Sequence, residues 1–108
     1  RLPLDAGEKP AQLAQIRSLV SVDDAVQVSP RLGAHFVSQD RVIPWHMTPD
    51  PPADWILFDL ADRFAGPEAN KSMRALIRSR LDRGDYTVRF QVAEVWLLER
   101  VDVPTSDP

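Results

Sequence analysis

The stretch Trp55-Ile56-Leu57-Phe58-Asp59-Leu60, WILFDL, is a continuous apolar run carrying one aspartate and bounded by turn residues. An amphipathic helix would break such a run with polar positions every third or fourth residue, and a strand with one wet face would alternate. A short run with neither period fits a strand covered on both faces, as in a parallel sheet flanked by helices. That reading decides the fold, because it requires elements on both sides of 55–60 to supply the covering layers.

Upstream, EKPAQLAQIRSLV places Leu13, Ile16 and Val20 at helical spacing, with Pro10 suited to a first turn. AVQVS (25–29) reads as a short strand. Ser29-Pro30 reads as a helix cap followed by a first-turn proline, opening a short helix to about Val37 that Gly33 weakens. RVIPW (41–45) is a strand kept short or peripheral by Pro44, which has no N–H to give a ladder. HMTPDPPAD is loop.

Downstream, PEANKSMRALIRSRLDRG (67–84) is the clearest helix. Pro67 and Glu68 suit its start; Arg80, Arg83 and Gly84 suit its end. Ala69, Met73, Leu76, Ile77 and Leu81 share one arc, and Arg80 intrudes on it. YTVRFQV (86–92) alternates, with Tyr86, Val88, Phe90 and Val92 on one face. VWLLERV follows after Ala93-Glu94, a connection tight enough for an antiparallel hairpin despite poor turn chemistry. Strands interleaved with helices predict an α/β fold: a three-layer sandwich with a mostly parallel sheet of about five strands and a C-terminal antiparallel hairpin. Residues 1–108 form one predicted domain, with a leader at 1–7 and a tail at 102–108.

Composition narrows the function classes. A net charge of -3 argues against a nucleic-acid binder. The chain has no cysteine, which excludes disulfides, thiolate metal sites and a cysteine nucleophile. No apolar run approaches the roughly 18 residues of a membrane span. A start at Arg1 without methionine reads as a piece of a longer polypeptide.

In open α/β sheets ligands bind beyond the carboxyl ends of parallel strands. Those ends predict a rim of Ser29, Trp45, His46, Asp59 and Asp62, with His35 added as a further polar candidate. The competing reading is architectural: His35 at a helix end, His46 in a loop, and aspartates at strand ends. A metal site would draw on His35, His46, Asp50, Asp54, Asp59 and Asp62, but no HxxxH or HxH pair exists and no metal is expected. Ser29 lacks a GxSxG context, and the four glycines form no phosphate-binding loop. No cofactor is expected, and Asp23-Asp24 reads as a turn. Lys71, Arg74 and Arg78 form a basic stripe that suits a membrane surface or another anion, or is simply a solvated helix face. Trp45, Trp55 and Trp96 are candidates for an aromatic platform, against the commoner role of core packing.

Taken in order, Asp24-Ala25-Val26, His35, Arg41, Pro44, ADWILFDL with Asp54 and Asp59, and VWLLER ending at Arg100 resemble the C-terminal soluble region of a family of uncharacterised polytopic bacterial membrane proteins. The resemblance covers about residues 16–101 and rests on the order of its pieces. His35 and Arg41 stand further apart than in the family pattern. The glycine of its last hairpin is missing, with Glu94 near that place. The multi-span part of that family is similar to lipid-linked-sugar (GT-C-like) glycosyltransferases. The resemblance therefore implies an extracytoplasmic accessory domain of a cell-membrane protein, without catalytic residues of its own. Its implied partners are the membrane part of the same polypeptide and a lipid-linked sugar or glycan acceptor. The alternative is a stand-alone soluble module for a sugar or phosphate-bearing ligand.

Overall fold

The structure, a computed structural model, describes residues 14–33 and 41–101. Along the chain these form α1 (helical over 14–19), β1 (Ala25–Val28), α2 (Pro30–Gly33), β2 (Arg41–Pro44), β3 (Trp55–Asp59), α3 (Pro67–Arg83), β4 (Tyr86–Val92) and β5 (Val95–Arg100). The five strands make one sheet in the order β2-β1-β3-β5-β4, so WILFD is its middle strand. All five of its residues are buried.

The expectation of a mostly parallel sheet needs correction. β1 pairs parallel with β2 and with β3, whereas β3–β5 and β5–β4 are antiparallel. The sheet is mixed and evenly divided. The cause is the hairpin: β4 runs parallel to β3 but lies one strand away, and β5 inserts between them in the opposite sense. A tight hairpin can only reverse direction, so an inserted hairpin strand converts two pairings at once.

Alternation along β3 divides the core between the two faces of the sheet. Trp55 and Leu57 join Ile16 and Val20 of the α1 segment, Leu32 of α2, and Val26, Val28, Val95 and Leu97. Ile56 and Phe58 join Met73 and Ile77 of α3, with Leu60, Tyr86 and Leu98. Full burial of each such side chain stabilises the fold by roughly 1.5–3 kcal/mol.

Helix α3 follows its sequence signals. Pro67 opens it, Glu68 lies in the first turn, and Arg80 and Arg83 lie in the last. Gly84 takes the left-handed conformation at φ 77°, and its N–H bonds the Leu81 carbonyl. A side chain there would cost about 1 kcal/mol.

The alternation read into β4 does not hold along its whole length. A bulge lies between Val88, which pairs with Leu98, and Phe90, which pairs with Leu97. The extra residue moves the following apolar side chains to the other face. Tyr86 accordingly packs in the α3-side cluster, and Phe90 against the opposite one. In the turn, Ala93 adopts a positive φ of 54°, the conformation for which the missing glycine would be suited.

β2 is an edge strand, and its exposure fits the peripheral role read from Pro44. From its end the chain must return across β1 to start β3. Gln27, a buried amide on β1 in register with Ile56, holds this return segment. Its Nε2 lies 2.8 Å from the carbonyls of Trp45 and Met47 and 3.3 Å from that of Pro44. Further along, Tyr86 Oη donates to the Ala53 carbonyl at 2.7 Å. The loop of 45–53 thus covers the part of the sheet that α3 does not.

Candidate functional site

The rim at the carboxyl ends of β1 and β3 brings Ser29, Asp59 and Asp62 together, with Arg31 from α2 beside them. Ser29 and Asp62 are fully buried and Asp59 nearly so. Ser29 Oγ accepts from the Asp59 N–H at 2.9 Å. It is therefore not the side-chain cap its position before Pro30 suggests. That role falls to Asp62, whose Oδ2 accepts from the Arg31 N–H at 2.8 Å, across from the adjacent loop. The other Asp62 oxygen accepts from Phe64 N–H at 2.8 Å and Ala65 N–H at 3.2 Å, closing the turn that leads into α3. Asp59 Oδ1 accepts from Ala61 N–H at 2.9 Å, and its Oδ2 lies 3.6 Å from Arg31 Nη1. Each side-chain oxygen of this trio faces a donor of the same chain.

The rest of the predicted set is dispersed. Trp45 and His46 meet edge to face at 5.7 Å between ring centroids; His46 is exposed and Trp45 half-buried. His35 lies outside the described residues. Trp55 faces the α1 side of the sheet, whereas Trp45 and Trp96 pack toward α3, so the three tryptophans form no single platform. The Trp55 indole N–H donates to Asp24 Oδ2 at 2.9 Å. Among the described residues no three of His, Asp or Glu gather where they could hold a metal ion. Asp54 and Asp59 occupy opposite ends of β3, which separates the carboxylates of the proposed metal set.

The basic stripe of α3 is exposed as expected. Arg74 reaches Glu94 Oε1 and the Leu60 carbonyl, both at 3.4 Å. Arg74 and Arg78 border a groove of about 380 Å³ shared with Trp96, Asp82 and Glu94. Among the described residues its two cations face two anions.

A second polar centre, which sequence reasoning missed, lies at the other end of the sheet. β5 runs antiparallel to β3, so Arg100 ends near Asp54, and the start of β4 pairs beside it through Tyr86. The last turn of α3 also ends there. Between them is a cleft of about 480 Å³ lined by Arg80, Arg83, Arg100, Tyr86, Thr48 and Pro52, among others. Among the described residues Asp85 is the one carboxylate in this lining, and it pairs with Arg83 at 3.3 Å. Burial pushes the Tyr86 phenol above its ordinary pKa, while the charges of Arg80 and Arg100 pull it back; Asp85 and Asp54 act in the raising direction. The one sequence signal for this cleft was Arg80, a cation inside an apolar arc. Thr48, Arg80 and Arg100 are too distant along the chain for any spacing rule to join them.

Comparisons with protein-family models, with curated proteins and with solved structures each found no match to this chain. Among the described residues no helix is long and apolar enough to cross a membrane.

Proposed function

We propose that this chain is a non-catalytic extracytoplasmic accessory domain of a glycosyltransferase-like integral membrane protein. The observation that carries the reading is the use made of the aspartates in the family-like pattern. Asp24 binds the Trp55 indole and the Ser21 N–H. Asp54 Oδ2 accepts from Ala25 N–H at 2.7 Å and lies 4.0 Å from Arg41. Asp59 closes a turn and meets Arg31. Residues used in this way fasten strands to loops, as a pattern that preserves a scaffold requires. The architecture belongs to the same reading: a three-layer sandwich, supported by two apolar clusters fed from alternate residues of β3. Lys71, Arg74 and Arg78 then form the surface turned toward anionic headgroups or a lipid-linked sugar.

Topology tests this directly. The chain has no cysteine, so Ser72→Cys on the exposed face of α3 gives the domain a single thiol. In cells expressing the whole gene product that contains this chain, a membrane-impermeant maleimide should label that thiol in intact spheroplasts. The protein should also stay in the membrane pellet after alkaline extraction. Labelling only after lysis, or full release into the soluble fraction, removes the reading. The second reading, a stand-alone soluble module for a sugar or phosphate-bearing ligand, is favoured by the arginine-lined cleft and predicts the soluble outcome.

A further inference from the structure

We infer that the cleft between the end of α3, the β4–β5 strand ends and the 48–53 loop is a binding site for a phosphate-bearing ligand, held by Arg80 and Arg100. This site is separate from the strand-end rim and does not depend on the membrane reading.

Three observations lead to it. The first is charge. The whole chain is net negative, yet among the described residues this cleft is lined by three guanidiniums and one carboxylate. Arg83 has Asp85 as a partner, whereas neither Arg80 nor Arg100 makes an ion pair among the described residues. Two like charges placed in one cleft repel each other, and repulsion rises as water is displaced. An arrangement of this kind is stabilised by a shared counter-anion.

The second is position. Arg80 lies on the packed arc of α3 and is half-buried, where an apolar residue would serve the core better. Arg100 comes from a different element, and both act on the Tyr86 phenol at the cleft wall. Two guanidiniums brought from α3 and β5 to one cleft match the several acceptor oxygens of a phosphate monoester, which takes planar donor forks well.

The third is shape. A volume of about 480 Å³ is in the range of small-molecule sites. Pro49, Pro52 and Ala53 offer apolar wall, and Thr48 a hydroxyl. These suit a compact organic body attached to the phosphate. Tyr86 already donates to Ala53 and fixes that wall in place.

The experiment is an NMR titration of the full chain with methyl phosphate at constant ionic strength, reading the arginine side-chain Nε–H signals. The expected result is a saturable shift of the Arg80 and Arg100 signals, with the exposed Arg63, outside the cleft lining, as the control. Arg80→Gln and Arg100→Gln should each weaken binding by about tenfold or more, and Arg63→Gln, at an exposed position outside the cleft lining, should leave it unchanged. A parallel arm uses phosphatidylcholine vesicles doped with phosphatidic acid. Binding to these vesicles that is lost in Arg80→Gln, without methyl phosphate binding, assigns the phosphate to a lipid headgroup. Binding of both assigns it to a phosphate monoester in general. Flat titrations in both arms overturn the proposal. So do shifts spread equally over all surface cations and unaffected by Arg80→Gln.

Discussion

The two ends of the sheet are built from similar residue types and treat them in opposite ways. At the rim, Ser29, Asp59 and Asp62 are buried, and their oxygens meet N–H groups or Arg31. At the cleft, Arg80 and Arg100 are half-exposed and lack carboxylate partners among the described residues. Fold geometry alone favours the rim as the site, since parallel strands end there. Hydrogen bonding favours the cleft. A polar group already satisfied by its own chain has little to offer a ligand, and an unpaired charge facing a cavity has much.

That contrast can be broken by substitutions, and the rim should give the largest effects. Asp62→Ala leaves the N–H groups of Arg31, Phe64 and Ala65 without their acceptor. Stability in urea should fall by about 3 kcal/mol or more. A loss within about 0.5 kcal/mol would mean that the rim is not fastened by this carboxylate. Ser29→Ala removes a single buried acceptor from the Asp59 N–H, so a loss of about 1–2 kcal/mol is expected by the same measurement.

Tyr86→Phe sharpens the comparison, because Tyr86 lines the cleft yet is bonded like a rim residue. At neutral pH it should cost about 1 kcal/mol through the Ala53 carbonyl. Burial raises the phenol pKa in the folded state. The unfolded chain therefore releases the proton first, near the ordinary tyrosine value of about 10. The contribution of Tyr86 is complete below that pH and is lost as pH rises through the folded value. Urea midpoints measured across the alkaline range should fall in the native protein and fall less steeply in Tyr86→Phe. Equal slopes would remove the phenol as the cause.

Arg80→Gln should give the smallest effect on stability, within about 0.5 kcal/mol, since Arg80 has no ion pair among the described residues. A loss of about 2 kcal/mol or more would place Arg80 with the rim residues.

Much of the scaffold was legible in the sequence because its signals are local. WILFDL needed no partner to announce a strand with two covered faces, and Pro67, Glu68 and Gly84 mark the ends of α3 by their own backbone chemistry. What was not legible depends on pairing. The mixed sheet follows from where the hairpin inserts, which neither strand encodes alone. The bulge before Phe90 is invisible in a sequence that alternates well, because it is a property of the match between β4 and β5. Its neighbour Pro30 marks Ser29 as a helix cap. The donor it meets, however, is on β3, and the capping carboxylate is Asp62 in the next loop. Gln27 is a lone polar residue in AVQVS, and nothing local to that segment encodes that its amide holds the loop that crosses the sheet. The rim residues Ser29, Asp59 and Asp62 were found together from strand ends; the cleft was not, because helix, hairpin and loop each contribute one part.

The rim is closed upon itself, and amide hydrogen exchange under native conditions measures this without altering any residue. The N–H groups of Arg31, Asp59, Phe64 and Ala65 donate to rim side chains and should exchange at least about a hundredfold more slowly than in an unstructured chain. Exchange of all four at the rate of free peptide, while Leu57 and Leu98 in the sheet stay protected, would show an open rim and contradict the account.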